Sequence, residues 1–361
     1  MITKVRNFYA GPGKLPDSVL ERIKNEMTNF DSTSMSVMEI SHRAQPILDL
    51  IKRVQDKFKS ILKLDDEDEV LFLQGGGTLQ FTMIPMNFSG YDDTVTYVDT
   101  GYWAKKAIEA VKELPRNVEV IKADDYTIPK SIKNSDISIG TIDDTKYLHI
   151  CSNNTVVGTQ WFEFPFIDNV PLIADMSSDL LSRNIDAKKF GLIYAHAQKT
   201  LGSAGVTVVI IPKHSVDKLN NTYIKFLDYK THIEHKSNYH TPPVFAIYTM
   251  DLMLDWLMNE IGGLDEMERI NKIKSDMLYN FLDISKLFHC PIEKNSRSMM
   301  NVVFRMEDEK LYDKILKEAE ENNIFGIKGH RSVPGNSFRV SLYNAVTIED
   351  VQYLISFLSR Y

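Results

Sequence analysis

The sequence predicts an α/β fold: a large, mostly parallel sheet covered on both faces by helices, followed by a smaller α+β unit. Three observations carry this. From about residue 16 onward, short apolar, β-branched runs alternate with stretches of helical periodicity, and strands separated by helices favour parallel pairing with cover on both sides. A second group of alternating elements follows a long amphipathic stretch near 264–284. A length of 361 residues with 43% hydrophobic content suits two units with a sizeable core.

Each element has its own signal. Pro16-Asp17-Ser18 opens a helix with Val19, Leu20, Ile23 and Met27 at helical spacing. Residues 45–62 repeat the pattern with Ile47, Leu48, Ile51, Val54, Phe58 and Ile61. Strands are expected at Val70 to Leu73, Val95 to Val98, Val118 to Ile121 and Leu148 to Cys151. Further strands are expected at Pro171 to Ala174, Leu192 to Tyr194 and Val206 to Ile211, with a helix at Trp103 to Leu114. Gly262-Gly263 opens the long helix. After it come a strand (Asn301 to Met306), a helix (Glu309 to Asn322), a strand (Phe338 to Tyr343) and a last helix from Ile348. The division read from this is a large unit over 16–262 and a small one over 263–361, with segment 1–15 packing near the latter. The interface between such units is a favoured place for a ligand.

Composition narrows the function. A net charge of −7 without a basic stretch argues against nucleic acid as the main partner, although a pocket can still be locally positive. Cys151 and Cys290 stand far apart with no metal-ligand spacing, and read as buried thiols. No metal is expected. Met1 to Phe8 lacks an apolar core of signal-peptide length, and no later apolar run reaches about 18 residues. A cytoplasmic protein with no membrane partner is the expectation. No internal repeat or low-complexity tract is visible.

The chemistry concentrates in a few stretches. Ala195 to Gly205 lies between two apolar strands and holds Lys199. Burial disfavours an ammonium, and a desolvated lysine is a nucleophile toward carbonyls; taken alone, the stretch also reads as a surface lysine in a glycine-rich turn. Asp175 ends the apolar run Leu172-Ile173-Ala174, where α/β sheets bind ligands. A cofactor with a pyridine ring needs such an acid at its nitrogen, while a helix N-cap is the plainer role. Gln74-Gly75-Gly76-Gly77-Thr78 sits between a strand and a helix and can cradle an anion on its backbone N–H groups. It lacks the Walker and dinucleotide spacings and reads equally as a turn. Trp103 is a candidate to stack on a ring, or a core residue. His-Arg occurs twice, as His42-Arg43 and His330-Arg331, with Arg339 close behind the second. Arginine grips carboxylate or phosphate through paired hydrogen bonds, so two such pairs suggest a substrate with more than one anionic group.

Taken in order, these stretches resemble the phosphoserine aminotransferase family, class-V pyridoxal-phosphate enzymes of fold type I. The likeness runs from Asn7-Phe8-Tyr9-Ala10-Gly11-Pro12-Gly13 through Ile40-Ser41-His42-Arg43, Gly75-Gly76-Gly77 and Gly101-Tyr102-Trp103. It continues through Asp175-Met176-Ser177-Ser178, Ala197-Gln198-Lys199, Thr241-Pro242-Pro243 and Gly329-His330-Arg331-Ser332-Val333, and closes with Ser341-Leu342-Tyr343-Asn344-Ala345.

The resemblance implies pyridoxal 5'-phosphate held as a Schiff base on Lys199, which then shuttles the substrate Cα proton. It implies Asp175 at the ring nitrogen, Trp103 on the ring face and Thr155 at the ring hydroxyl. Gly77, Thr78 and Gln198 would bind the cofactor phosphate, helped by His240 and Thr241 from a second subunit of a homodimer. His42, Arg43, His330 and Arg331 would take the substrate phosphate and Arg339 the α-carboxylate. The implied reaction converts O-phospho-L-serine and 2-oxoglutarate to 3-phosphohydroxypyruvate and L-glutamate in serine biosynthesis. Transamination of 4-phosphohydroxy-L-threonine is an alternative, as is a non-catalytic protein on the same scaffold.

The chain departs from the family pattern at four places. The loop Val333-Pro334-Gly335-Asn336-Ser337-Phe338 before Arg339 is about two residues longer than usual. His240 replaces a usual asparagine, His196 a usual glycine and Ser203 a usual proline. His196 and Gln198, two apart, would share one face of a strand.

Overall fold

A computed structural model describes residues 4–123, 127–129, 144–333 and 335–361; Met1 to Thr3 and Pro334 lie outside the described residues. The central feature is a seven-stranded sheet. Its strands are β2 (Glu69–Leu73), β3 (Thr94–Asp99), β4 (Asn117–Lys122), β5 (Leu148–Cys151), β6 (Leu172–Asp175), β7 (Leu192–His196) and β8 (Thr207–Ile211). Their order is β2-β8-β7-β6-β5-β3-β4, and every pairing is parallel except those of β8 with β2 and β7. All residues of β5, β6 and β8 are buried, the condition of a sheet covered on both faces.

Helices supply that cover. In α2 (Gln45–Leu62) Ile47, Leu50, Ile51, Val54, Phe58, Ile61 and Leu62 are buried, a stripe at helical spacing. Leu20 of α1 (Asp17–Glu26) and Leu48 of α2 were expected on the packed faces and are exposed instead. α3 (Gly76–Phe88) and α4 (Tyr102–Val111) pack together on the sheet. α5 (Lys213–Val216) and α6 (Tyr229–Glu234) are short. α7 (Val244–Asp255) lies against α2, and its Asp251 accepts from Arg53 Nε at 3.0 Å and Lys57 Nζ at 2.7 Å. Nine consecutive residues of α7 are buried, so no polar face marks it in the sequence.

A second hydrophobic cluster is built on α8 (Leu264–Ile284), β9 (Asn301–Met306), α9 (Glu309–Glu321), β11 (Asn336–Ser341) and α10 (Ile348–Leu358). Phe8 joins this cluster, and β1 (Arg6–Asn7) pairs in parallel with β10 (Ile324–Phe325). The strand expected at 338–343 begins two residues earlier, because Asn336 pairs with Met306 and Ser341 with Asn301. Cys290 is half-buried rather than buried.

All the parallel strands point their carboxyl ends to one edge. The turns that leave that edge carry Gly75–Gly77 after β2, Trp103 after β3, Thr155 after β5, Ser177 after β6 and Lys199 after β7. That edge is where open α/β sheets place their ligands.

Candidate active site

Lys199 lies in the turn from β7 to the antiparallel β8, so its position is fixed by two neighbouring strands. The N-terminal loop covers its stem: Gly13 N–H donates to the Gln198 carbonyl at 2.7 Å, and a Cβ on Gly11 would meet Lys199 Cγ at 3.4 Å. Lys199 Nζ is 5.8 Å from the Trp103 ring centre. Burial pushes the Lys199 pKa down, opposed by the Asp175 carboxylate and reinforced by the Arg339 charge. An amine in that setting is a better nucleophile than a solvated ammonium.

Asp175 ends β6 and is buried. Its Oδ1 accepts from Ser177 N–H at 2.9 Å, and its carbonyl accepts from Ser152 Oγ at 2.9 Å. Behind it Tyr194 and His149 share a 2.9 Å hydrogen bond in the buried layer. Burial lowers the His149 pKa to about 4.

Gly75 and Gly76 take left-handed conformations, with φ of 81° and 67°, and α3 begins at Gly76. Residues other than glycine rarely adopt these angles, and the free N–H groups of the first helical turn are left for an anion. A Cβ on Gly76 would strike His196 Nε2 at 2.1 Å. Gly77 faces Asp175 Oδ2 and Ser177 Oγ, at 3.9 and 3.8 Å from where its Cβ would lie. Gln198 Nε2 is 2.9 Å from His196 Nδ1, while Gln198 Oε1 is buried without a partner among the described residues.

Trp103 donates its indole N–H to Thr155 Oγ1 at 3.1 Å, and Arg339 Nη1 donates to the Thr155 carbonyl at 3.3 Å. Arg339 Nε is buried with no partner among the described residues, and burial lowers the guanidinium's pKa. Tyr102 stands edge-on to Trp103 and 5.2 Å from the His330 ring. His330 in turn lies 2.7 Å from Ser332 Oγ. Burial, then the charges of Arg339 and Arg331, hold the His330 pKa down. Gly77, Thr78, Trp103, Asp175, Gln198 and Lys199, among others, line a cleft of about 160 Å³, and Thr155 links the Trp103 wall of that cleft to Arg339.

The family description Aminotransferase class-V matches residues 5–354. The chain belongs to this family. It is 44% identical to the phosphoserine aminotransferase of Syntrophobacter fumaroxidans, over all of this chain and 99% of that one. The solved phosphoserine aminotransferase from Bacillus circulans subsp. alkalophilus superposes with a TM-score of 0.92 at 39% identity, over 99% of this chain and 98% of that one. A pyridoxal-phosphate-bound phosphoserine aminotransferase from Trichomonas vaginalis gives 0.90 at 34%, over 99% and 100%. The cofactor of the family is pyridoxal 5'-phosphate.

The residues fit that group. Its aldehyde needs the Lys199 amine and its ring nitrogen a buried acid. Its phosphate needs the N–H groups at the start of α3, and Lys199, Asp175, Gly77 and Thr78 all line one cleft.

Of the residues singled out in the sequence, Gly77, Thr78, Trp103, Asp175, Gln198 and Lys199 line this cleft, whereas His42, Arg43, Thr155, His240, Thr241, His330, Arg331 and Arg339 are not among its lining residues. Arg43 borders a separate depression with Leu48, His235, Asn238 and Tyr239, and Asn238 Nδ2 donates to the His42 carbonyl at 3.0 Å. His240 is exposed against Phe226, and the Thr241 carbonyl accepts from Gln74 Nε2 at 2.6 Å. Sequence reasoning missed the placing of Ser177, Asn153, Phe81 and Cys151 in the cleft wall and of Tyr102 beside His330. It assigned no contact to Gly11 or Gly13, although both lie in a quoted motif.

Proposed function

We propose that this chain catalyses reversible amino transfer between O-phospho-L-serine and 2-oxoglutarate, giving 3-phosphohydroxypyruvate and L-glutamate, in L-serine biosynthesis. The observation that carries the reading is the meeting of Lys199, Asp175, Trp103 and Gln198 at one cleft, with Arg339 bonded to the same Thr155 that holds the Trp103 indole. The names of the relatives favour phosphoserine over 4-phosphohydroxy-L-threonine.

Pyridoxal 5'-phosphate supplies an electron sink for the bonds at the substrate Cα. Lys199 Nζ would hold the cofactor through its aldehyde carbon and, as a free amine, would take up the substrate Cα proton and move it. The Asp175 carboxylate would pair with the ring nitrogen and favour its protonated form. Trp103 would stack on the ring and Thr155 would meet the ring hydroxyl. Gly77, Thr78 and Gln198 would cradle the phosphate. Arg339 takes the α-carboxylate, and His330 and Arg331 take the distal anion, a phosphate in one half-reaction and a carboxylate in the other. Arginine suits both. Anchoring two anions on either side of Cα orients its C–H bond for removal.

His42, Arg43, His240 and Thr241 reach this site, on the same reading, from the second subunit of a cytoplasmic homodimer. Exposed apolar side chains close to them in the chain, Met35, Met38 and Tyr239, support it. The chain is read as a large unit over 16–262 and a small one over 263–361, with 1–15 beside the latter. The separate cluster around Phe304 and Phe338, with Phe8 in it, supports that division.

The test is turnover with 2-oxoglutarate of O-phospho-L-serine, 4-phosphohydroxy-L-threonine and L-serine, each followed by glutamate release. The reading expects kcat/KM highest for O-phospho-L-serine and lowest for L-serine. A preference for 4-phosphohydroxy-L-threonine would replace the substrate, and no glutamate from any of the three would reject the activity.

A further inference from the structure

His196 has no part in the reaction just described, yet it touches both halves of the anion cradle. Its Nε2 edge packs on Gly76 so closely that a Cβ there would lie 2.1 Å away. Its Nδ1 is 2.9 Å from the Gln198 carboxamide nitrogen. In that orientation the carboxamide oxygen of Gln198 is buried with no partner among the described residues. The two ends of a carboxamide have nearly the same shape, so hydrogen bonding decides which way it faces. Turned over, its oxygen accepts from His196 Nδ1–H and its NH2 faces the cleft beside Gly77 and Thr78. The reversal removes a buried acceptor that would repel an anion and puts two donors in its place. Burial and the nearby Lys199 charge favour a neutral His196 ring. One proton on Nδ1 is all the arrangement requires.

We propose that His196 is a positioning residue for the cofactor phosphate: its Nδ1–H holds the Gln198 carboxamide with the NH2 turned into the glycine cradle. This rests on the reading of Gly77, Thr78 and Gln198 as the phosphate site. The histidine contributes through Gln198 and through its packing on Gly76, without contacting the substrate.

The test compares two ligands on the full-length, cofactor-resolved protein: pyridoxal 5'-phosphate and pyridoxal, which lacks the phosphate. Dissociation constants are read from quenching of tryptophan fluorescence. His196→Leu, which has no donor, is expected to weaken pyridoxal 5'-phosphate about tenfold while pyridoxal stays within about twofold. His196→Asn, whose NH2 takes the place of Nδ1–H, is expected to restore most of the loss. Gln198→Ala should show the same phosphate-selective loss, and adding His196→Leu to it should cost little more. Equal weakening of both ligands by His196→Leu would make the histidine merely structural and overturn the inference. An additive double variant would overturn it too, because His196 would then act independently of Gln198. If Gln198→Ala leaves pyridoxal 5'-phosphate binding unchanged, the assignment of the cradle itself fails, and the inference with it.

Discussion

The Thr155 hydroxyl oxygen accepts the Trp103 indole N–H at 3.1 Å, so the ring that faces Lys199 is held by a residue from the next turn along the sheet edge. Thr155→Val keeps the shape and removes the acceptor. A neutral hydrogen bond is worth about 1 kcal/mol, so cofactor binding is expected to weaken about fivefold. Equilibrium binding of pyridoxal 5'-phosphate measures this, and unchanged affinity would remove the hydrogen bond from the account.

On the proposed mechanism Lys199 holds the cofactor aldehyde and carries the proton, so neither alanine nor arginine should replace it. Both variants are expected to lose about 10²–10⁴ or more in kcat. Arginine keeps the positive charge but offers no free amine, so activity surviving in Lys199→Arg would contradict the assigned role. Single-turnover measurements with O-phospho-L-serine separate the chemical step from binding.

Arg339 and Arg331 are expected to affect binding more than chemistry. Charge-assisted hydrogen bonds contribute about 1.5–3 kcal/mol, so Arg339→Lys should raise KM for O-phospho-L-serine and glutamate alike by about tenfold or more. Arg331→Ala should raise KM for the phosphorylated substrate. Steady-state kinetics with both donors checks this. A fall in kcat at unchanged KM would place Arg339 elsewhere in the cycle.

The proposed two-subunit site makes a sharper prediction. Arg43→Ala and Lys199→Ala homodimers should both be nearly inactive. Mixed by unfolding and refolding together, they should recover about a quarter of wild-type activity, the share set by random pairing. Each mixed dimer would have one site with both defects and one with neither. No recovery would mean that Arg43 serves the subunit it belongs to.

His149 predicts a pH effect on stability. Its pKa in the fold is about 4, against 6.5 for an ordinary histidine, because burial disfavours the cation. Between those values the unfolded chain binds the extra proton and the folded chain does not, so stability falls as pH drops from about 6.5 to about 4. The loss is about 3 kcal/mol for a shift of this size. His149→Gln retains a polar side chain for Tyr194 and does not titrate. Urea midpoints of the two proteins should therefore converge as pH falls through this window if the histidine is responsible. Parallel curves would show that it is not.

Much of this was legible in the sequence because it depends on local pattern. Val206 to Ile211 reads as a strand buried on both faces, and only its first residue lies outside β8. Lys199 and Asp175 were legible as a pair because each stands at or just beyond the end of an apolar strand, and the two strands are neighbours. The unusual loop before Arg339 made its place uncertain from sequence, yet pairing with Val303 of β9 sets it. What stayed hidden depends on contacts between distant segments. The two-residue strands β1 and β10 have no pattern of their own, and only their pairing defines them. α7 has no polar face to reveal its period. Tyr102 is an ordinary helix residue until the fold brings His330 to 5.2 Å from it. Gly11 and Gly13 look like turn glycines until they are seen lying on Lys199 and Gln198.

The central claim is that Lys199 presents pyridoxal 5'-phosphate to a phosphorylated amino acid, and an absorbance titration of the purified protein tests it most directly. The account predicts a visible band from the lysine-bound cofactor that bleaches with O-phospho-L-serine, returns with 2-oxoglutarate and is missing in Lys199→Ala. A wild-type protein without that band after reconstitution, or a band that O-phospho-L-serine leaves untouched, would contradict it.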